Sequence, residues 1–233
     1  MNAILEKGLI NFGIDPTDDI AYKFKKYEDL LIETNKQFNL TAITESDEVN
    51  LKHFVDSISC QNLIESGSSV IDVGTGAGFP GIPLAIVRDD IKLTMIDSLG
   101  KRVNFLNTVI NEIGLLDANA FHMRAEEGGK NPKFRENFDV ATSRAVANLP
   151  VLCEYCLPFV KTGGVFLALK GRDAEAEVEN AEKAIKILGG KLEKVHKVFW
   201  EGLEHRVVAI RKVCKTPSKF PRNAGKPSKE PII

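Results

Sequence analysis

The chain has 233 residues, 43% of them hydrophobic and 27% charged, a globular composition that excludes a disordered or fibrous protein. Its length allows one principal core with a small appendage. Lys and Arg number 31 against 32 Asp and Glu, a formal net charge of -1, so the total offers no sign of a polyanionic partner and only the distribution of charge can supply one.

In chain order, the N-terminal stretch MNAILEKGLINFGIDPTDD has no basic leader, long apolar run or small-residue cleavage site, so no secretory signal is expected, and no later run reaches a membrane span. Asp15 and Pro16 read as a cap and first-turn proline, after which Ile20, Phe24, Tyr27 and Leu31 recur at helical spacing. NLTAI reads as an irregular connection. A second helix is expected from about Glu48 to Leu63, turning Val49, Phe54 and Ile58 inward. Residues 1–65 are therefore expected to form a helical extension.

After Gly67 the pattern changes to strands alternating with helices. Strands are expected at Val70 to Val73, Leu93 to Ile96, Ala120 to Met123, Val140 to Ser143 and Val165 to Leu169. Helices are expected at Ile82 to Val87, Lys101 to Ile113, Leu149 to Leu157 and Glu175 to Leu188. KLEKVHKVFW and HRVVAIRKV, joined by Glu201 to Glu204, read as a hairpin, hence antiparallel. Residues 66–213 thus predict an α/β three-layer domain, a mostly parallel sheet of seven strands closed by that hairpin. Residues 214–233 form a basic, Pro-rich tail. From Arg211 onward seven Lys or Arg face the single acid Glu230, and four of the ten prolines fall there, against regular structure.

The cysteines at 60, 153, 156 and 214 match neither a disulfide framework nor a zinc spacing, and no His, Cys and acid cluster does, so no metal is expected. Cys153 and Cys156 have a redox-pair gap but sit in a helical pattern and read as buried thiols, which points to a reducing, cytoplasmic compartment. His53 and Asp56, three apart on one helix face, read as packing and hydrogen-bonding residues. No isologous apolar patch is evident, so a monomer is the expectation.

The chemistry concentrates in VIDVGTGAGFPGIPLAI, residues 70–86. Gly74, Gly76 and Gly78 follow the first strand, at the carboxyl edge where open α/β sheets bind ligands, and their missing side chains let backbone amides approach a nucleotide-like group. Asp97, at the end of the next strand, suits a ribose diol. A dinucleotide and S-adenosylmethionine both fit that pattern. Phe79 and Pro80 put bulk and a lost amide where a pyrophosphate would sit, Asp72 would repel it yet accept from an ammonium, and the terminal hairpin suits a methyltransferase sheet. Ala125 and Glu126 follow the third strand, where an adenine would lie, with backbone hydrogen bonds from Ala125. Ser143 and Arg144 follow the fourth strand, where a methyl acceptor would meet the donor, although Arg144 also suits a structural ion pair.

TNKQFNLTAI (34–43), HFVDSI (53–58), DVGTGAGFPGIPLAI (72–86), IDSLGKRVNFL (96–106), RAEE (124–127), FDVATSRAVANL (138–149), LALKG (167–171) and TPSKFPRNAGKPSKEP (216–231) occur in order, and together they closely resemble the bacterial small-subunit rRNA guanine-N7 methyltransferases (RsmG, formerly glucose-inhibited division protein B). The resemblance runs from about residue 20 to the C-terminus. It implies a class I, Rossmann-like, S-adenosylmethionine-dependent methyltransferase fold and transfer of methyl to N7 of a guanine in the 530 loop of 16S rRNA, within the small ribosomal subunit or its precursor. By motif, Gly74, Phe79, Ala125, Glu126 and Arg144 fall at donor-site positions, Asp97 at the acid of the second strand end, and Arg124 and Arg144 at arginines important for activity. Thr34 stands where that family commonly has Trp, which removes an aromatic from the N-terminal helix and touches no proposed donor contact.

Guanine N7 already presents a lone pair, so no general base and no covalent intermediate are expected. With RNA implied, Arg124, Lys101, Arg102 and the tail cations Lys215, Lys219, Arg222 and Lys226 become candidate phosphate contacts, although the tail can equally fold back through Phe220 and its prolines. The rival reading is a non-catalytic rRNA-binding assembly factor on the same fold. The glycines, Asp97 and Arg144 in combination argue against it.

Overall fold

The computed structural model describes residues 1–233. Helices α1 (Ala3–Asn11) and α2 (Asp18–Asn35) are followed by α3 (Ser46–Val49), a π-helical run Asn50–Val55, and α4 (Asp56–Ile58). Strand and helix then alternate: β1 (Ser69–Val73), α5 (Gly81–Val87), β2 (Lys92–Asp97), α6 (Gly100–Ile113), β3 (Ala118–His122), α7 (Ala125–Gly128), β4 (Phe138–Arg144), α8 (Leu149–Cys156), β5 (Val160–Lys170) and α9 (Ala174–Ile187). The hairpin β6 (Gly190–Trp200) and β7 (Leu203–Lys212) and the one-turn α10 (Lys226–Lys229) complete the chain.

The strand order is β3-β2-β1-β4-β5-β7-β6, parallel from β3 to β5 and antiparallel where β7 meets β5 and β6. The chain runs outward from β1 in one direction through β2 and β3 and then returns to lay β4 on β1's other side. The carboxyl ends of β1 and β4 therefore part, and a crevice opens at that switch point.

Period-two alternation sends the strands to two cores. Val70, Val165, Leu167, Leu169, Val207 and Ala209 face one side, while Ile71, Val73, Phe166, Ala168, Val208 and Ile210 face the other. Leu5, Leu9, Phe24, Tyr27, Leu31 and Phe54 of the N-terminal helices complete the first core, so residues 1–65 are continuous with the sheet rather than a separate unit. Leu152, Phe159, Ala181 and Phe220 of the tail complete the second. Cys153 and Cys156 are buried there as free thiols.

The differences from expectation include an additional helix, a cap, a helix start and a turn. Helix α1 has too few apolar repeats to stand out, and Asn2 caps it by accepting from the Ile4 and Leu5 amides. Thr17, rather than Asp15, caps α2 by accepting from Ile20 N. The helix expected at Glu48 to Leu63 starts earlier and breaks before a 3-10 turn at Gln61–Leu63. The β6–β7 connection is two residues, Glu201 at φ 36 and Gly202 at φ 92, because the tight turn lets the strands pair to Trp200 and Leu203.

No helix is long and apolar enough to cross a membrane.

Candidate functional site

The β1–β4 crevice holds a cavity of about 550 Å³. Its floor is the turn after β1. Gly74 N and Thr75 N donate to Ile96 O at 2.9 and 3.2 Å, which folds the chain back over the end of β2. Gly74, Gly76 and Gly78 all have positive φ, at 71°, 63° and 108°, a region that residues with a Cβ rarely adopt. Gly76 lines the cavity, and a Cβ there would meet nothing within 4 Å. At Gly74 a Cβ would come within 2.7 Å of Val146, whose loop closes over the turn.

Helix α2 fixes this turn from below. Tyr27, fully buried, donates its hydroxyl to Ala77 O at 2.6 Å. Asp97 fixes it from the side: Oδ2 accepts from Gly76 N at 3.0 Å and Oδ1 from Leu99 N at 2.9 Å, with Arg102 Nη1 3.4 Å away. Asp97 and Arg102 both line the cavity. Asp72 does not, which corrects the expectation that it faces an ammonium group. It is fully buried beneath the floor, accepting from Thr75 Oγ1 at 2.6 Å and Gly81 N at 3.0 Å, and burial pushes its carboxyl up to about 6. Gly78 also lies off the cavity, against Ile82 and the Tyr27 hydroxyl, so its glycine serves packing.

Arg144 closes one side. Its Nη1 donates to Asp56 Oδ2 at 2.6 Å and to Lys52 O at 3.0 Å, and its guanidinium carbon lies 4.8 Å from the centroid of Phe79. Asp56 Oδ1 lies 2.8 Å from Nδ1 of His205 on β7, whose Nε2 is 3.0 Å from Ser59 Oγ. Burial works to raise the Asp56 carboxyl, but the hydrogen bond from His205 and the charge of Arg144 outweigh it and hold it below the usual range. The ion-pair and site readings of Arg144 therefore coexist, since the same side chain also lines the cavity. Ser143, one residue earlier, points away and donates to Val73 O.

His53, on the π-helical run, lines the cavity and stacks on Phe79 with centroids 4.4 Å apart. Its Nδ1 lies 3.3 Å from Arg144 Nη2 and its Nε2 2.7 Å from Thr41 Oγ1. Arg144 can only donate, so Nδ1 accepts and Nε2 carries the hydrogen. Burial, reinforced by the charge of Arg144, lowers this imidazole to about 4 and keeps it neutral. The sequence pattern gave His53 a packing and hydrogen-bonding role, which it has, but no place at the cavity, because nothing in its spacing shows that Phe79 folds beneath it.

The opposite side is built from Ala125 and Glu126 on α7, Tyr155 on α8, and Gly225 and Ser228 of the tail, all lining the cavity. Glu126 is buried and its Oε1 accepts from Gly225 N at 2.9 Å. Arg222, expected at an RNA backbone, instead forks onto Glu154: Nη2 reaches Oε2 at 2.6 Å and Nε reaches Oε1 at 2.9 Å. The pull is electrostatic, because Glu154 is 1% exposed and has no other cation. Lys215, Lys219 and Lys226 remain exposed, as do Arg124 at the mouth and Lys101, whose ammonium lies 5.0 Å from the centroid of Phe38. Thr75, Tyr155, Gly225 and Ser228 escaped the sequence reading. Only the chain's return over α8 brings the last three together.

Comparison with known proteins identifies the family. A family described as rRNA small subunit methyltransferase G matches residues 20–206. The chain is 48% identical over 235 residues to the ribosomal RNA small subunit methyltransferase G of Acetivibrio thermocellus, covering 100% of this chain and 97% of that one. It is 51% identical over 232 residues to the protein of the same name in Desulforamulus reducens, covering 98% and 97%. Among solved structures, a SAM-dependent methyltransferase from Aquifex aeolicus superposes with a TM-score of 0.53 at 19% identity over 78% of this chain and 98% of that one. TYW2 of M. jannaschii, solved in complex with AdoMet, gives 0.56 at 16% identity over 75% and 81%. The structural likenesses share the fold, while the sequence matches run the whole length of the chain, and the protein belongs to the rRNA small subunit methyltransferase G family.

Proposed function

We propose that the chain transfers the methyl group of S-adenosylmethionine to N7 of a guanine in the 530 loop of 16S rRNA, leaving S-adenosylhomocysteine. The reading is carried by the glycine-floored cavity with Asp97 on one side and Arg144 on the other, in a chain of this family. The residues present fit the donor. The open space beside Gly76 admits a ligand against the backbone, and the Asp97 carboxylate, with two protein donors at normal distance, keeps lone pairs for ribose hydroxyls. Ala125 offers backbone groups to an adenine edge. When bound, the donor supplies an electrophilic methyl carbon.

The chain's own task is alignment. Guanine N7 needs no deprotonation, and His53, the one imidazole on the cavity, is neutral with both nitrogens engaged and so is not a free base. Arg144 is the positioning group for the acceptor, because Asp56 and the Lys52 carbonyl hold it rigid beside Phe79. Such pre-set orientation stabilises the transition state without reorganisation at the moment of transfer. Arg124, Lys101, Arg102 and the exposed Lys215, Lys219 and Lys226 are assigned to RNA phosphates, so binding weakens steeply with salt. Arg222 is left out of that set, since its charge is spent on Glu154.

The test uses unmodified small-subunit RNA and 30S particles with methyl-labelled S-adenosylmethionine, followed by nucleoside mapping. Label in a single 7-methylguanosine of the 530 loop is expected. Donor binding with no methylation of either substrate would reject the substrate assignment and favour an assembly factor.

A further inference from the structure

The tail's composition suggests a cationic arm for RNA, yet the structure makes residues 215–233 a strap bound to the catalytic fold. Phe220 is 7% exposed in the second core. Arg135 donates from Nη1 to Phe220 O at 2.8 Å and from Nη2 to Thr216 O at 2.7 Å. Lys130 Nζ donates to Asn223 Oδ1 at 2.9 Å, and the Arg222 fork holds the residue before it. Beyond this anchor, Gly225 turns at φ 79, which brings its amide to Glu126 and carries Ser228 Oγ to within 2.7 Å of Tyr155 OH.

We propose that this strap is a structural wall of the donor cavity, and that Gly225 and Ser228 help set affinity for the nucleoside end of the donor. The proposal rests on the reading that the cavity takes S-adenosylmethionine. Gly225 and Ser228 share the cavity with Ala125 and Glu126, the pair assigned to the adenine side. What they present there is a main chain without a side chain, its amide held by Glu126, and a hydroxyl that keeps hydrogen-bonding capacity beyond its bond to Tyr155, neutral groups that a purine can pack against and pair with. No lysine lines the cavity, so the strap's positive charge stays outside it. The strap is thus two-sided: a neutral inner edge toward the donor and a cationic outer edge toward RNA. Glu126 acquires a specific role in this arrangement. Its carboxylate is committed to the Gly225 amide, so it positions the wall.

The wall is tested by isothermal titration of S-adenosylmethionine and S-adenosylhomocysteine, without RNA, into the full chain and into a chain lacking residues 222–233 that also carries Glu154→Gln, so that the carboxylate paired with Arg222 is not left as a buried charge. The full chain is expected to bind both ligands, and the shortened chain to lose about tenfold or more in affinity, as expected for about 1.4 kcal/mol. Lys229→Gln in the full chain, an exposed strap cation off the cavity, is expected to bind as the parent does. Equal affinity in the shortened and full chains would overturn the wall while leaving the donor reading intact. Failure of the full chain to bind either ligand would overturn the donor reading and the wall with it. Hydrogen exchange on the unaltered protein serves if the shortened chain does not fold: amides of residues 222–229 are expected to slow when S-adenosylhomocysteine is added, and unchanged exchange there would reject the proposal.

Discussion

Both sides of the cavity are tied down by an arginine and a carboxylate from distant segments, but the two ties differ in build. On one side Arg144 meets Asp56, which keeps a second partner in His205, and the guanidinium also rests beside Phe79 and His53. On the other, Arg222 is the sole cation of the buried Glu154. Removing Arg144 leaves Asp56 still facing His205, whereas removing Arg222 leaves the buried Glu154 carboxylate without a cation. The first is suited to hold a group in a defined orientation for chemistry, the second to hold a segment of chain in place.

That contrast gives the largest expected effect to Arg222. Arg222→Ala should cost about 3 kcal/mol of stability, the lower end for breaking a buried pair because the arginine itself is partly exposed. Adding Glu154→Gln should recover most of it in urea unfolding. A single mutant as stable as the parent would show that Glu154 is not dependent on the strap. For Arg144→Ala the loss should fall on turnover: about 100-fold in kcat/KM, as for a misplaced reactant, with donor affinity within about threefold. If donor affinity collapsed while kcat held, the two sides would have exchanged roles.

The floor belongs to neither tie and should respond differently from both. Gly76→Val forces a branched side chain into a left-handed conformation, costing about 1–2 kcal/mol, and places it in the open cradle. Donor dissociation constants should rise about tenfold or more, and calorimetry showing an unchanged value would remove the cradle from the site. The smallest effect concerns pH. His53 titrates at about 4 in the folded chain against an ordinary value near 6.5, so the unfolded chain binds the extra proton between these values. This group's contribution is therefore complete above about 6.5 and is lost as pH falls toward 4. His53→Gln should flatten that part of the stability profile, and the ring carbons of His53 should show no titration by NMR between pH 6 and 8. A midpoint near 6.5 would mean that the ring is not buried beside Phe79 and Arg144.

Much of this architecture was legible because it depends on local pattern. Alternating apolar residues placed the strands within a few positions, and Gly67 marked the change from helical extension to α/β domain. Gly74, Gly76 and Asp97 could be read because backbone conformation and strand ends leave signatures in spacing. Asp72 reads the same way and lies elsewhere: on β1 a single residue's shift in register exchanges a cavity for the interior, and Thr75 and Gly81 claim its carboxylate. The tail shows the opposite limit. Its five cations and four prolines describe a solvated arm equally well as a strap, since the deciding partner, Glu154, lies 68 residues away on a helix whose burial its own sequence does not announce.

By itself the sequence determined the order of the strands and of the longer helices between them, the glycine turn after the first strand and the carboxylate at the end of the second, because each follows from backbone sterics and side-chain period within a few residues. Only the tertiary structure decided which charges meet across the crevice, that His53 stacks on Phe79, that Arg144 is shared between an ion pair and the cavity, and that the tail turns its neutral edge inward. Those outcomes depend on desolvation and on distances between segments far apart in the chain, and these exist only once the two cores have packed.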